Sequence, residues 1–337
     1  MPTRPELRRR GVLLAASLIC VALCAGCGEV HPQTTLGTPR PVTVAIADPP
    51  SALYASLYTA KADGDFSAGA LGVTITHPPN ALRALETGGA NIAISSEPAL
   101  LAARASGAQL VAVGALIRQP LDGIVSLASQ PIARARALVG RTIAISPTPL
   151  AAAELSTVLA SAHLAASSVR RMTVNGSLES ALHSRRVAAT LGGLWALDAV
   201  ALKLSHQPAT VLEIQQAGVP TYSQLVIVVR VAEAHDKGPL LRAFLQSLTR
   251  GERAVVADPA AAAATLAKVN PRLSAAFERA LLAETLPIAS PTGHLFGYQD
   301  PYAWQAFGAW MHRHGLLADA PDAGLAITDE FLPGRGA

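Results

Sequence analysis

Apolar residues fall in short runs along this chain, and helix-length segments separate them. Val42 to Ala47 (VTVAIA) is an apolar run that stops at Asp48-Pro49-Pro50, which predicts a strand entering a turn. Ala52 to Ala62 reads as a helix, and Leu71 to Thr76 (LGVTIT) as a strand. A helix follows Pro78-Pro79 and runs through Leu85. Asn91 to Ile94 reads as a short buried strand, Pro98 to Ser106 as a helix and Ala108 to Leu116 (AQLVAVGAL) as a strand. This βαβα order implies a parallel sheet with crossover helices. A second unit repeats it. Its strands are Arg141 to Ile145, Arg171 to Val174, Val187 to Leu191, Val211 to Ile214 and Leu225 to Val229. The last (LVIVV) is apolar at every position, as a strand buried on both faces must be. Its helices are Leu150 to His163, Leu178 to His183 and Trp195 to Leu204.

Beyond Ala232 the pattern becomes helical throughout. Asp258-Pro259, Asn270-Pro271 and Asp300-Pro301 each pair a capping side chain with a proline at the first helical position, where its missing N–H is not needed. Trp304, Phe307 and Trp310 recur every three residues and mark a helix face that packs on the first unit. The fold class is therefore α/β with two lobes. Residues 41–134 plus 231–333 form lobe one, and 135–230 form lobe two. Two chain crossings make a hinge, and a ligand binds in the central cleft at the carboxyl ends of the strands.

Composition limits the function. Half of the 337 residues are apolar, 15% are charged and mean hydropathy is +0.34, which excludes a disordered chain. The net charge of +4 owes +3 to the first ten residues, where Arg4, Arg8, Arg9 and Arg10 face Glu6. The remainder is nearly neutral and no basic stripe with interleaved aromatics appears in it, so nucleic acid is not an expected partner. Arg8-Arg9-Arg10, the apolar stretch from Val12 to Ala25 and the small residues before Cys27 read as an export signal. The string LCAGCG resembles a bacterial lipobox, which makes residues 1–27 a signal peptide ending in an acylated Cys27 and anchors the chain outside the cytoplasmic membrane. Residues 28–40, rich in Pro, Thr and Gly, read as a tether.

All three cysteines (20, 24 and 27) belong to that leader, so the body holds no thiol nucleophile, disulfide or thiolate zinc site. No G-x-S-x-G, H-E-x-x-H, G-x-G-x-x-G or P-loop is present. Neither an enzyme, a cofactor nor a metal is expected.

Several stretches, in order, carry a family resemblance. They are ALETGGANIAIS (84–95), VAVGALIRQPLDGIV (111–125), ALVGRTIAI (137–145), GGLWALDAVAL (192–202), GVPTYSQLVIVV (218–229), and PTGHLFGYQDPYAWQAFGAWMHRHGLL (291–317) with AITDEFL (326–332). Over residues 41–333 the chain resembles the periplasmic substrate-binding proteins of ABC importers. It is most similar to the group related to thiamine-pyrimidine-precursor binding and to the fungal pyrimidine synthases, with sulfonate, nitrate and taurine binders as relatives. The resemblance implies the type II periplasmic-binding-protein fold, a small heterocyclic ligand, and a permease and an ATPase as partners, with the receptor a monomer. Where the group has a Trp, an Asn and a His after the first strand, this chain has Asp48, Ser51 and Tyr54, and the Glu of its "W-N-x-E" is Asp198.

An aminopyrimidine needs an aromatic face to stack on and a carboxylate to accept from its exocyclic amine. Tyr54 or Tyr222 is the expected stacking partner, Asp198 the acceptor, and Trp195, three residues earlier on one helix face, the wall. Core packing for Trp195, a solvated helix position for Asp198 and a turn role for Tyr222 are the competing readings. Ser95, Ser96 and Glu97 precede a helix whose free N–H groups could hold an anion such as a sulfonate, but Glu97 would repel it. Capping of that helix is the alternative. Asp48 likewise favours a neutral or cationic ligand. Pyrimidine synthesis, a sulfonate or other small ligand on the same fold, and a receptor without transport function remain the rival functions.

Overall fold

The computed structural model describes residues 38–290 and 295–334. The signal segment, Cys27 and residues 28–37 of the expected tether lie outside the described residues. The strands are β1 (Arg40–Ile46), β2 (Leu71–Thr76), β3 (Ile92–Ser95), β4 (Leu110–Ile117), β5 (Gly123–Leu127), β6 (Thr142–Ile145), β7 (Arg170–Thr173), β8 (Ala189–Leu191), β9 (Ala209–Glu213) and β10 (Leu225–Arg230). The helices are α1 (Ala55–Ala62), α2 (Asp65–Ala68), α3 (Ala81–Glu86), α4 (Glu97–Ala105), α5 (Pro149–Ser161), α6 (Leu178–His183), α7 (Trp195–Leu204), α8 (Val231–Asp236), α9 (Gly238–Ala257), α10 (Pro259–Val269), α11 (Ala275–Ala289) and α12 (Pro301–Arg313).

Two five-stranded mixed sheets result, in the orders β2-β1-β3-β10-β4 and β7-β6-β8-β5-β9. Within each, the three strands joined by helical crossovers run parallel, and one strand from elsewhere in the chain is inserted antiparallel. The boundaries between lobes therefore differ from the expected 134/135 and 230/231. Strand β10 pairs Val226 with Ser95 and Ile227 with Ile94, so it belongs to the first sheet. Strand β5 pairs Gly123–Leu127 with Glu213–Ala209, so it belongs to the second. An unbroken apolar run suits the middle of either sheet, and its pattern carries no address. The chain crosses at 118–122 and again between β9 and β10.

The caps at Asp258 and Asp300 form as expected, accepting from Ala261 N–H and Tyr302 N–H at 2.9 Å each. Asn270 does not open a helix. It ends α10, and α11 starts five residues later under Ser274, whose hydroxyl accepts from Phe277 N–H. Pro271 stops one helix here rather than starting the next. Helix α9 lies on α1 at Gly251, where an added Cβ would stand 2.3 Å from Ser56 O. Trp304, Phe307 and Trp310 are buried, as expected of a packing face. That face also reaches the second sheet's helices, since Trp310 Nε1–H donates to Thr157 of α5 at 3.0 Å.

Candidate ligand-binding site

The carboxyl ends of β1 and β3 lie side by side, with Ile46 beside Ile94, so the loops after them meet. After β1 the chain turns through Asp48, and a backbone anchor fixes the segment beyond it: Ala52 N–H donates to the buried Glu278 carboxylate at 2.6 Å. This places Tyr54 inside, where its hydroxyl donates to Asp48 Oδ2 at 2.6 Å. Burial, and then Asp48, push the Tyr54 hydroxyl far above its ordinary pKa, so it stays a donor. His77 Nδ1 lies 2.8 Å from Asp48 O and steadies the same turn.

After β3, Ser96 caps α4 by accepting from Ala99 N–H at 3.3 Å, which is the capping alternative realised. Glu97, the first residue of that helix, turns inward. Its Oε2 accepts from Ser223 N–H at 2.7 Å, and Oε1 has no partner. Burial raises its pKa to about 8 against the opposing pull of Ser223.

A cavity of about 1090 Å³ opens at these loops. Asp48, Tyr54, Ser95 and Ser96 line it from the first sheet, and Leu194 and Gln224 from the second sheet and the returning crossing. It continues between α3 and α4 to the amino end of the first sheet. There Arg230 donates to the carbonyls of Leu85 and Ala90 and pairs with Glu233 at 2.8 Å. The cavity's other charged lining side chains are Asp48 and the Arg83–Glu86 pair of α3, 3.4 Å apart.

Four of the eight expected site residues thus share the cavity, and four do not line it. Glu97 is committed to Ser223. Tyr222 is not a stacking surface open to a ligand. It is 1% exposed, its ring lies 4.4 Å from Phe307, and its hydroxyl donates to Asp122 Oδ2 at 2.5 Å. Glu154 Oε1 sits 3.3 Å from the same oxygen. One phenolic proton cannot serve two carboxylates, so the cluster holds a further proton on Asp122 or Glu154. Burial, and then the charge of Asp122, raise the Glu154 pKa accordingly.

Trp195 is also core, packed so closely on Gly123 that a Cβ there would meet its ring at 3.2 Å. Its Nε1–H has no partner. Asp198, one turn on, stands behind Gly193 with Oδ2 buried and unpartnered. Burial, and then Glu179 and Asp122, lift its pKa to about 7. Both side chains lie at the carboxyl end of β8, one layer behind Leu194. Small residues at 192 and 193 create that layer, because left-handed Gly192 has no room for a Cβ beside Ser146.

Reading the sequence alone misses Asp122, Glu154 and Gln224. Gln224 Oε1 accepts from Leu121 N–H at 2.9 Å and ties the two crossings together beside the cavity. Its place beside Tyr222 in the segment 218–229 was the available signal. Nothing in the pattern around Glu154, an acid inside an alanine-rich helix, points to the cluster. Among the described residues no group of three His, Cys, Asp or Glu could hold a metal ion, and no helix is long and apolar enough to cross a membrane.

The model of the family described as NMT1/THI5 like matches residues 52–262, well over half of the chain. The chain belongs to the NMT1/THI5-like family. It is 27% identical over 291 residues to the formylaminopyrimidine-binding protein of Halalkalibacterium halodurans, covering 83% of this chain and 88% of that one. It is 28% identical over 274 residues to a putative thiamine biosynthesis protein of Haemophilus influenzae, covering 79% and 85%. In structure it resembles the periplasmic aliphatic sulphonate binding protein SsuA of Escherichia coli, with a TM-score of 0.68, 17% identity and coverage of 87% and 99%. This family member thus has the α/β periplasmic-binding-protein fold that the resemblance implied, with its two mixed sheets covered by helices.

Proposed function

We propose that this chain is the extracytoplasmic solute-binding component of an ABC importer and takes a small aminopyrimidine of the thiamine-precursor type between its two sheets. The similarity to a formylaminopyrimidine-binding protein over 83% of the chain carries the reading. The site supports it. Asp48 is an unbridged acidic lining group after the first strand, Arg83 being paired with Glu86, and Asp198 stands behind Leu194 with an unpartnered oxygen. These groups suit a neutral or cationic ligand that donates hydrogen bonds, and they oppose a bare sulfonate. Tyr54, although buried, lines the cavity and has its hydroxyl already oriented by Asp48. Closure of the sheets on the ligand, with Gly193 moving aside, brings the Asp198 carboxylate to the exocyclic amine.

The receptor catalyses nothing and works as a monomer with a permease and an ATPase. It is held at the outer face of the membrane by lipid on Cys27. Thermal shift of the purified protein with formylaminopyrimidine, hydroxymethylpyrimidine, taurine and an alkyl sulfonate tests the ligand. Stabilisation by an aminopyrimidine, lost in Asp198→Ala, is expected, whereas stabilisation by sulfonates alone overturns the assignment. Release of the chain from membranes by Cys27→Ala tests the anchor.

A further inference from the structure

Positive charge is concentrated in one part of this nearly neutral body. Residues 128–190 hold seven arginines against two carboxylates, Glu154 and Glu179, while the rest of the chain after residue 27 has 16 basic and 20 acidic residues. The fold gathers four of these arginines. Arg141 immediately precedes β6, Arg170 begins the neighbouring β7 in register with Thr142, and Arg185 and Arg186 lead into β8. Together they line a cavity of about 260 Å³ at the amino end of the second sheet, with Gln130 and the backbone of Gly140 and Ala188. This is the end of the strands opposite to Ile145, Thr173 and Leu191, which face the cleft.

No carboxylate balances them. None of the four arginines forms an ion pair among the described residues. Glu154 is buried beside Tyr222, and Glu179 lies at the far end of α6, beside Ser177. Arg170 is oriented instead by a neutral partner, its Nε–H donating to Thr142 Oγ1 at 3.2 Å, which leaves the two terminal nitrogens of its fork free. Arg185 adopts a left-handed backbone (φ +56°), a conformation that costs a non-glycine residue free energy and turns the chain back at the end of α6. Four exposed guanidinium side chains without ion pairs share the wall of one cavity, and a multiply charged oxyanion there offsets their mutual repulsion while accepting paired N–H donors from their planar forks.

The geometry points to a binding site for a phosphate group, built by Arg141, Arg170, Arg185 and Arg186 at the end of the second sheet remote from the cleft. It does not depend on which solute the cleft takes. A free phosphate compound and a phospholipid headgroup share this chemistry, and the experiment separates them.

Calorimetric titration of the purified protein with inorganic pyrophosphate at low ionic strength is the test. Saturable binding is expected, weakened at least about tenfold in the double variant Arg170→Gln/Arg186→Gln, because each lost charge-assisted bond is worth on the order of a factor of ten. Arg170→Lys keeps the charge but loses the fork, so it should bind more weakly than the parent and more tightly than the glutamine variant. Asp198→Ala should leave pyrophosphate binding unchanged, which separates this site from the cleft. Absence of saturable binding, or binding that survives the double glutamine variant, overturns the proposal. The Cys27→Ala protein is then sedimented with phosphatidylcholine vesicles with and without phosphatidic acid. Arginine-dependent sedimentation that pyrophosphate competes away assigns the site to headgroups, and pyrophosphate binding without sedimentation assigns it to a soluble phosphate compound.

Discussion

The two sheets have the same plan and opposite surroundings. Each has three parallel strands in the order 2-1-3, an antiparallel insert and a fifth strand. In the first sheet β3, β4 and β10 are buried almost throughout, and α9 meets α1 without room for a methyl group at Gly251. In the second, the edge strand β7 is exposed at three of four positions, arginines crowd the amino end, and buried acids crowd the carboxyl end. The same topology thus makes a closely packed sheet in one half and an electrically polarised one in the other.

Changing pH should separate them most. Asp122, Glu154, Asp198 and Glu97 all have pKa values raised above those of the unfolded chain, chiefly by burial. The native state therefore holds more protons than the unfolded one. The stability these groups contribute is complete below about pH 4 and is lost as pH rises through about 7 for Asp198 and about 8 for Glu97. A melting temperature lower by about 10 °C at pH 9 than at pH 5 is expected from calorimetry, with a flatter profile in Asp198→Asn. A melting temperature that rises over that interval would refute the account.

In the first sheet's base, Gly251→Ala should cost about 2–3 kcal/mol in denaturant unfolding, since the new methyl meets the backbone of α1. Arg171→Ser, on the exposed edge of the second sheet, should stay within about 0.5 kcal/mol. At the crossings, Tyr222→Phe leaves Asp122 and Glu154 without the oxygen that joins them and should cost about 2 kcal/mol. In the cleft, the informative variant is Tyr54→Phe. It frees Asp48 to solvent, should weaken aminopyrimidine binding by less than about tenfold, and is read by the same thermal shift.

Much of the scaffold is legible from pattern alone. Short runs mark the strands apart from β5, whose GIVSL follows so closely on β4 and the turn at Gln119-Pro120 that it does not separate as an element of its own. Which sheet receives β10 is not legible, because five consecutive apolar residues fit either centre. In the site, Asp48, Ser95 and Ser96 can be brought to the cavity from sequence, because strand ends fix them within a residue or two, and Tyr54 follows in the turn after β1. Tyr222 and Trp195 cannot, because an aromatic ring before a strand or at a helix start reads the same whether it faces a cleft or a core. The decisive information is long-range: Asp122 is 100 residues from Tyr222, and Glu154 is 68. Among buried polar groups, partners so distant leave no local trace.

The position of β10 also governs the order of assembly. It occupies the fourth place in the first sheet, flanked by β3 and β4, yet it is made only after the whole second sheet has been synthesised. A nascent chain that has emerged as far as β9 therefore holds β3 and β4 with open facing edges more than 100 residues before the strand that closes them. The first sheet therefore cannot close until the second has been made, and its closure is an insertion of high sequence separation, the kind of contact that slows folding.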